Sequence, residues 1–144
     1  MAAPTGLQHV NLSVPAGTLP LAQEFYGTVL GLANDTVPHL QKDVLLWFRL
    51  GSGPQQIHVS IERNPLPALH MSSRHPCFAL PNGEALVELQ QRVYEHRAAG
   101  GEAAALECDR PGAANSGSKG VEYPDRFFVR DYAGNRLEFA VHPM

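Results

Sequence analysis

The residues of this chain that can hold a metal or move a proton are spaced two apart, in four short runs. From Leu7 to Val14 every second residue is polar, so His9, Asn11 and Ser13 share one face of a strand and Val10, Leu12 and Val14 the other. The same separation groups His58, Ser60 and Glu62, then His75 and Cys77, then Arg136, Glu138 and His142. Three imidazoles and a carboxylate can converge from such faces. That donor set suits Zn, Fe, Ni, Co or Mn better than Cu(I) or Ca, and four protein ligands leave an octahedral ion two open positions. The plain alternative is a sheet with one solvated face, on which a histidine needs no metal. These faces are, however, short of Lys and Thr, and helices in both halves are available to cover the apolar sides. A sheet so covered can curl its polar side around a small cavity.

The elements that must carry these faces repeat. After the first strand, Pro15-Ala16-Gly17 breaks the chain. Thr18 is then an expected N-cap, Pro20 lies in the first turn, and Leu21, Ala22, Phe25, Tyr26 and Val29 recur at helical spacing up to Gly31. Asp43 to Leu50 and Gln56 to Glu62 read as strands joined by a turn at Gly51 to Pro54. Asn64 to Arg74 is the midpoint linker. Beyond it, His75 to Leu80 reads as a strand, and Glu84 to Ala99 as a helix with Leu86, Leu89 and Val93 on one stripe, ended by Gly100-Gly101. Ala103 to Cys108, Arg126 to Arg130 and Asn135 to His142 follow as strands. The chain is thus expected to be one domain, with module one at about 6–63, the linker at 64–74 and module two at 75–144. The loop from Arg110 to Pro124 is long where connections have a median of about 4 to 6 residues, and reads equally as a lid or as a tolerated insertion.

Composition narrows the function. At 144 residues, 44% hydrophobic, 17% charged and a net charge of −3, the chain can bury a core but lacks the basic footprint that nucleic acid demands. Cys77 and Cys108 are too few for a disulfide framework or a cysteine zinc site. No apolar run approaches a membrane span and the first residues do not resemble a signal peptide, so the expectation is a soluble, cytoplasmic protein whose partner is a small molecule.

In order along the chain, "LQHVNLSVP", "AQEFYGTVLGL", "QQIHVSIE", "RHPCFAL" and "FFVRDYAGNRLEFAVHP" resemble the vicinal oxygen chelate superfamily. That group includes glyoxalase I, fosfomycin-resistance thiol transferases, methylmalonyl-CoA epimerase and extradiol dioxygenases. The resemblance implies an α+β fold of two βαβββ modules forming a curled, open mixed sheet barrel with helices outside, often in a homodimer. It also implies a divalent metal (Zn, Ni, Fe, Co or Mn) held by His9, His58, His75 and Glu138. The family's common step is chelation of vicinal oxygens by that ion, which stabilises charge developing on them. Two positions depart from the pattern. Glyoxalase I enzymes usually have a carboxylate where this chain has His58, so a proton-moving base must come from elsewhere, with Glu62 the candidate beside the ligand Glu138. The other departure is Tyr132-Ala133 in the final turn, together with the long loop before it. Asn11, Ser60, Arg49, Cys77 and Arg136 are the expected substrate-pocket residues, the two arginines as holders of an anion. His39, His70, His96 and His142 are expected at the surface, and Trp47, Phe48, Phe78, Phe127 and Phe128 in the core or pocket wall. The functional expectation is a metal-dependent glyoxalase-like lyase, isomerase or epimerase. The alternatives are an Fe(II) extradiol-type dioxygenase or a metal-free, bleomycin-resistance-like binding protein.

Overall fold

Alternating residues build two four-stranded sheets of the same design. The computed structural model describes residues 1–65, 67–119 and 125–142, which fall into two units, 1–65 and 66–144, divided inside the expected linker. Unit one contains β1 (His9–Val14), a helical segment, β2 (Ala33–Asp35), β3 (Leu45–Arg49) and β4 (Gln56–Ile61), in sheet order β1-β4-β3-β2. Unit two contains β5 (Cys77–Leu80), helix α2 (Gly83–Ala99), β6 (Glu107–Cys108), β7 (Arg126–Arg130) and β8 (Arg136–Val141), in order β5-β8-β7-β6. In each unit the first strand runs parallel to the last and the other pairs are antiparallel, so each is a βαβββ module with an α+β, unclosed sheet.

One face of each sheet packs on its own helix. In unit one Leu12, Val14, Ile57, Val59 and Phe48 are buried together with Phe25, Tyr26 and Val29 of the helical segment. In unit two Leu137, Phe139, Phe127 and Val129 are buried, as are Leu86, Leu89 and Val93 of α2. Asn82 caps α2 by accepting a hydrogen bond from the Ala85 N–H (2.8 Å), and Gly100 ends it in the left-handed region (φ 74°), which a side chain would strain.

The first helix lies where its apolar spacing placed it, but its hydrogen bonding is wider. Only α1 (Leu19–Ala22) is α-helical, and Gln23–Val29 is a π-helix that ends with the Leu30 N–H on the Phe25 carbonyl (2.9 Å). Apolar residues at 22, 25, 26 and 29 fit either winding. Gly27 leaves room for the Gln23 amide, which exchanges two hydrogen bonds with Asn34 of β2 (2.8 and 2.9 Å). Thr18 is the N-cap residue, its carbonyl accepting from the Leu21 and Ala22 N–H groups, but its side chain makes no capping bond; the hydroxyl donates to the Pro15 carbonyl (2.6 Å). Strand β2 has no sequence signal, since Ala-Asn-Asp is poor strand material and is held by its pairing to β3. Of the expected strand from Ala103, only Glu107–Cys108 pairs, while Ala103 and Ala105 turn into the core.

The linker is fastened to unit two. Arg130 donates to the carbonyls of Leu69 (3.4 Å), Ser72 (2.8 Å) and Gly134 (3.1 Å). Residues 110–119 of the long loop are tied back through Asp109, whose Oδ2 accepts from the N–H groups of Ser116 and Phe128. The rest of that loop, 120–124, lies outside the described residues.

The β7–β8 turn depends on one buried carboxylate. Asp131 is fully buried; its Oδ1 accepts from the N–H groups of Ala133 and Asn135 (2.9 Å each) and its Oδ2 from the Asn135 side chain (3.0 Å). Gly134 completes the turn at φ 97°. Replacing Asp131 with Ala strands these donors and is expected to cost about 3 kcal/mol in urea unfolding. A loss below about 0.5 kcal/mol, the range of an ordinary surface substitution, would show the turn to be indifferent to it.

Candidate functional site

The second face of each sheet carries half of the expected ligand set. In unit one β4 lies between β1 and β3, and the register brings Trp47 opposite His58 and His58 opposite Asn11. The His58 ring is therefore sandwiched. It stacks on Trp47 (centroids 4.4 Å, planes 5° apart) and on His9 (4.0 Å, 14°). Burial and the neighbouring His9 charge hold the His58 pKa below its ordinary value, which favours the neutral ring.

A hydrogen-bonded chain across the strands fixes which nitrogen of His58 is open. Arg49 ion-pairs with Asp35, and the Gln56 amide nitrogen donates to Asp35 Oδ2 (2.8 Å). Asp35 only accepts, so the Gln56 oxygen must face the other way, 2.9 Å from His58 Nε2. Nε2 therefore carries the proton, and Nδ1 is left as a lone pair. The hydrogen bond from Gln56 and then that from Arg49 lower the Asp35 pKa, so the start of the chain is ionised at neutral pH. His9 engages its Nδ1 with Gln8 Oε1 (2.9 Å), leaving Nε2 open.

In unit two, the Glu138 N–H donates to the Pro76 carbonyl (3.0 Å), which sets His75 beside the Glu138 side chain. His75 Nδ1 donates to the Ser73 carbonyl (2.7 Å), so in the neutral ring Nε2 is a lone pair. That lone pair faces Glu138 Oε1 at 3.2 Å. Two acceptors so placed require a cation between or on them, a proton or a metal ion. The other carboxylate oxygen accepts from Arg126 Nη1 (3.2 Å), and both partners of this ion pair are buried. Phe128 closes the group, edge-on to His75 at 5.5 Å and beneath the Arg136 guanidinium at 4.2 Å.

The two halves fit a metal differently. His75 and Glu138 present their donor atoms to one point, and His75 is oriented through its other nitrogen as metal-bound histidines are. His9 and His58 do not. Ligation needs in-plane lone pairs that converge, whereas nearly parallel rings 4.0 Å apart send theirs side by side. Of this pair His9 has the open Nε2. Among the described residues no three His, Cys, Asp or Glu side chains gather around one ion.

The other expected residues are placed as follows. Asn11 donates to Ser60 (2.9 Å) on the polar face of unit one. Glu62 accepts from Ser13 (2.6 Å) and the Asn64 N–H (2.9 Å), and these bonds hold its pKa below the usual carboxylate range, opposite to what a base working near neutrality needs. Cys77 is exposed opposite Glu138 in the register, and Cys108 is on the core-side face, its thiol pushed up to about 12 by burial and by Asp109. His142 and His39 are exposed. The sequence does not single out Asp35, Gln56 or Arg126, whereas Trp47, expected in the core or pocket wall, stacks on His58. Arg126 had a usable signal: the alternation of β7 puts Arg126, Phe128 and Arg130 on the face that Arg136 and Glu138 share.

No protein-family model matches the sequence, and no curated protein matches it. Solved structures do. A glyoxalase family protein from Bacillus anthracis is similar at 27% identity and TM-score 0.70, over 99% of this chain and 98% of that one. Lactoylglutathione lyase from Agrobacterium tumefaciens is similar at 19% identity and TM-score 0.60, over 99% and 97%. A fosfomycin resistance protein from Listeria monocytogenes is similar at 17% identity and TM-score 0.67, over 97% and 93%. With two βαβββ units in the same order, the chain has the vicinal oxygen chelate fold of glyoxalase-like proteins. No helix among the described residues is long and apolar enough to cross a membrane.

The chain through Gln56 can be read directly. Nitrogen NMR of the metal-free protein at pH 8 is expected to find His58 protonated at Nε2 alone, and Gln56→Leu to give mixed tautomers. A wild-type ring already protonated at Nδ1 would remove the assigned orientation.

Proposed function

We propose that the protein is a divalent-metal-dependent, glyoxalase-like enzyme acting on a small oxygenated substrate by lyase, isomerase or epimerase chemistry. The observation that carries this reading is the facing pair of acceptors, His75 Nε2 and Glu138 Oε1, each oriented by a bond from its other side. His9 and, after rotation of its ring, His58 are the unit-one donors, with a second copy of the chain as the partner that the resemblance implies. A bound ion supplies Lewis-acid stabilisation of negative charge developing on vicinal substrate oxygens. The chain supplies the rest. The Ser73 carbonyl and Arg126 hold His75 and Glu138 in place, so no reorientation is required when substrate arrives. Trp47 packs on the His58 ring and Phe128 against the His75 ring, which limits their movement. Where His58 stays bonded to Gln56 instead of turning to the ion, its Nδ1 is the lone pair that can accept a proton, and the low pKa of Glu62 makes that carboxylate the weaker base.

A second reading follows from His58. With its Nε2 held by Gln56, the donors are His9, His75 and Glu138, the two-histidine, one-carboxylate set of non-haem Fe(II) oxygenases. Iron in the purified protein would favour this extradiol-type chemistry over isomerisation.

Elemental mass spectrometry of protein purified without chelator or affinity tag tests both. Near-stoichiometric Fe, Ni, Zn, Co or Mn is expected in the wild type, with a loss of tenfold or more in Glu138→Ala. Because that change removes a buried partner of Arg126 as well as the ligand, Glu138→Gln is measured beside it; it keeps an acceptor for Arg126 and loses the ligand charge. Substoichiometric metal in every form after reconstitution with each ion would overturn the metalloenzyme and leave the metal-free binding protein.

A further inference from the structure

Unit two has a partly open cavity of about 250 Å³ against Phe128, the ring that His75 meets edge-on, with Arg130, Arg136, Glu107, Asp109 and Ser116 also among its lining residues. At ~30 Å³ per water it has room for roughly eight waters, or for one small organic molecule. Its charges are not equally available. Arg130 is saturated: its Nε pairs with Glu107 (3.3 Å) and its other nitrogens hold the carbonyls of Leu69, Ser72 and Gly134. Asp109 Oδ2 is held by two backbone N–H groups. Arg136 is different. It lies half-buried over the Phe128 ring at 4.2 Å, and no ion pair or hydrogen bond to it is found among the described residues.

We infer that this cavity binds the carboxylate group of a small organic acid, through the guanidinium of Arg136 held over the Phe128 ring. A guanidinium stacked by its face keeps its N–H edges in one plane, which matches the two oxygens of a carboxylate. Asp109 and the nearby Glu138 are carboxylates themselves, so a monoanion is admitted more readily than a phosphate dianion. Arg136 and Glu138 are two residues apart on the same face of β8, roughly 7 Å along the strand. Phe128 lines the cavity and also meets His75 edge-on, so an acid held at Arg136 shares that ring with the His75–Glu138 pair. This assignment deepens the proposed function and rests on it only in calling the acid a substrate. Binding itself needs neither metal nor turnover.

The test uses metal-free full-length protein with benzoate, its uncharged analogue benzamide, and inorganic phosphate, each titrated by NMR. Benzoate is expected to bind at least tenfold more tightly than benzamide, with shifts centred on Phe128 and Arg136. Arg136→Gln abolishes that preference, Arg136→Lys retains part of it in a protein of the same charge, and Arg92→Gln on the outer face of α2 retains all of it. Equal affinity for benzoate and benzamide, an unchanged preference in Arg136→Gln, or tighter binding of phosphate than benzoate would each overturn the assignment. None of those results bears on the metal content of the protein, so failure here is distinct from failure of the metalloenzyme reading.

Discussion

A carboxylate buried against a sheet must be neutralised, and Glu138 is the constraint around which the polar side of unit two is arranged. Its side chain is 9% exposed and that of its partner Arg126 is 6% exposed. Removing either charge from water costs several kcal/mol, an amount returned only if each ion finds a well-placed partner. The β7–β8 register supplies that geometry: Arg126 and Glu138 lie diagonally across the pair, with Phe128 directly opposite Glu138. Arg126 engages one oxygen, and the other is left for His75 and whatever cation joins them. The rest follows from keeping this group dry: Phe128 beside it, Arg130 drawing the linker in, and the Asp131 turn holding β7 to β8.

Unit one meets the same topological demand by different means. Among the described residues its polar face buries no ion pair; Arg49 and Asp35 lie at the more solvated edge, where their attraction is screened. What reaches the centre of the sheet is neutral. Gln56 passes orientation, without charge, from Asp35 to His58, and the stacked rings of Trp47 and His9 hold His58 by their faces. Two modules of identical strand order thus offer a buried, charged pair in one and a stack of rings with an open nitrogen in the other.

Much of this was legible because period-2 alternation reports both faces of a strand at once. Leu12, Val14, Ile57 and Val59 marked the buried side of unit one, and the same runs marked His9 and His58 as belonging to the other. Arg126–Arg130 and α2 emerged nearly to the residue, since a Gly-capped apolar stripe and a bulky aromatic run have few alternative readings. What escaped depends on partners distant in sequence. Strand β2 is held by its pairing to β3, and the π-helical segment contains the Gly27 gap in which Gln23 reaches Asn34. The roles of Asp35, Gln56 and Arg126 are relations across strands, and no spacing along one strand contains them.

The separation of faces also explains why a shared fold leaves the reaction open. The core face must fill space against its helix, so its residues are tied to the architecture, while the opposite face is free to differ among proteins built alike. Its chemistry is decided by which atoms are already engaged. His9 uses Nδ1 on Gln8, His75 uses Nδ1 on Ser73, and His58 uses Nε2 on Gln56. Each ring keeps one nitrogen, but two keep Nε2, at the far end of the side chain, and one keeps Nδ1, next to its own backbone. A ligand set requires nitrogens that can extend to a common ion; a proton acceptor needs only a fixed lone pair beside the substrate. His9 and His75 hold out the nitrogen farther from the backbone and His58 the nearer one, so three residues of one type on alternating strand faces differ in what each can offer a ligand.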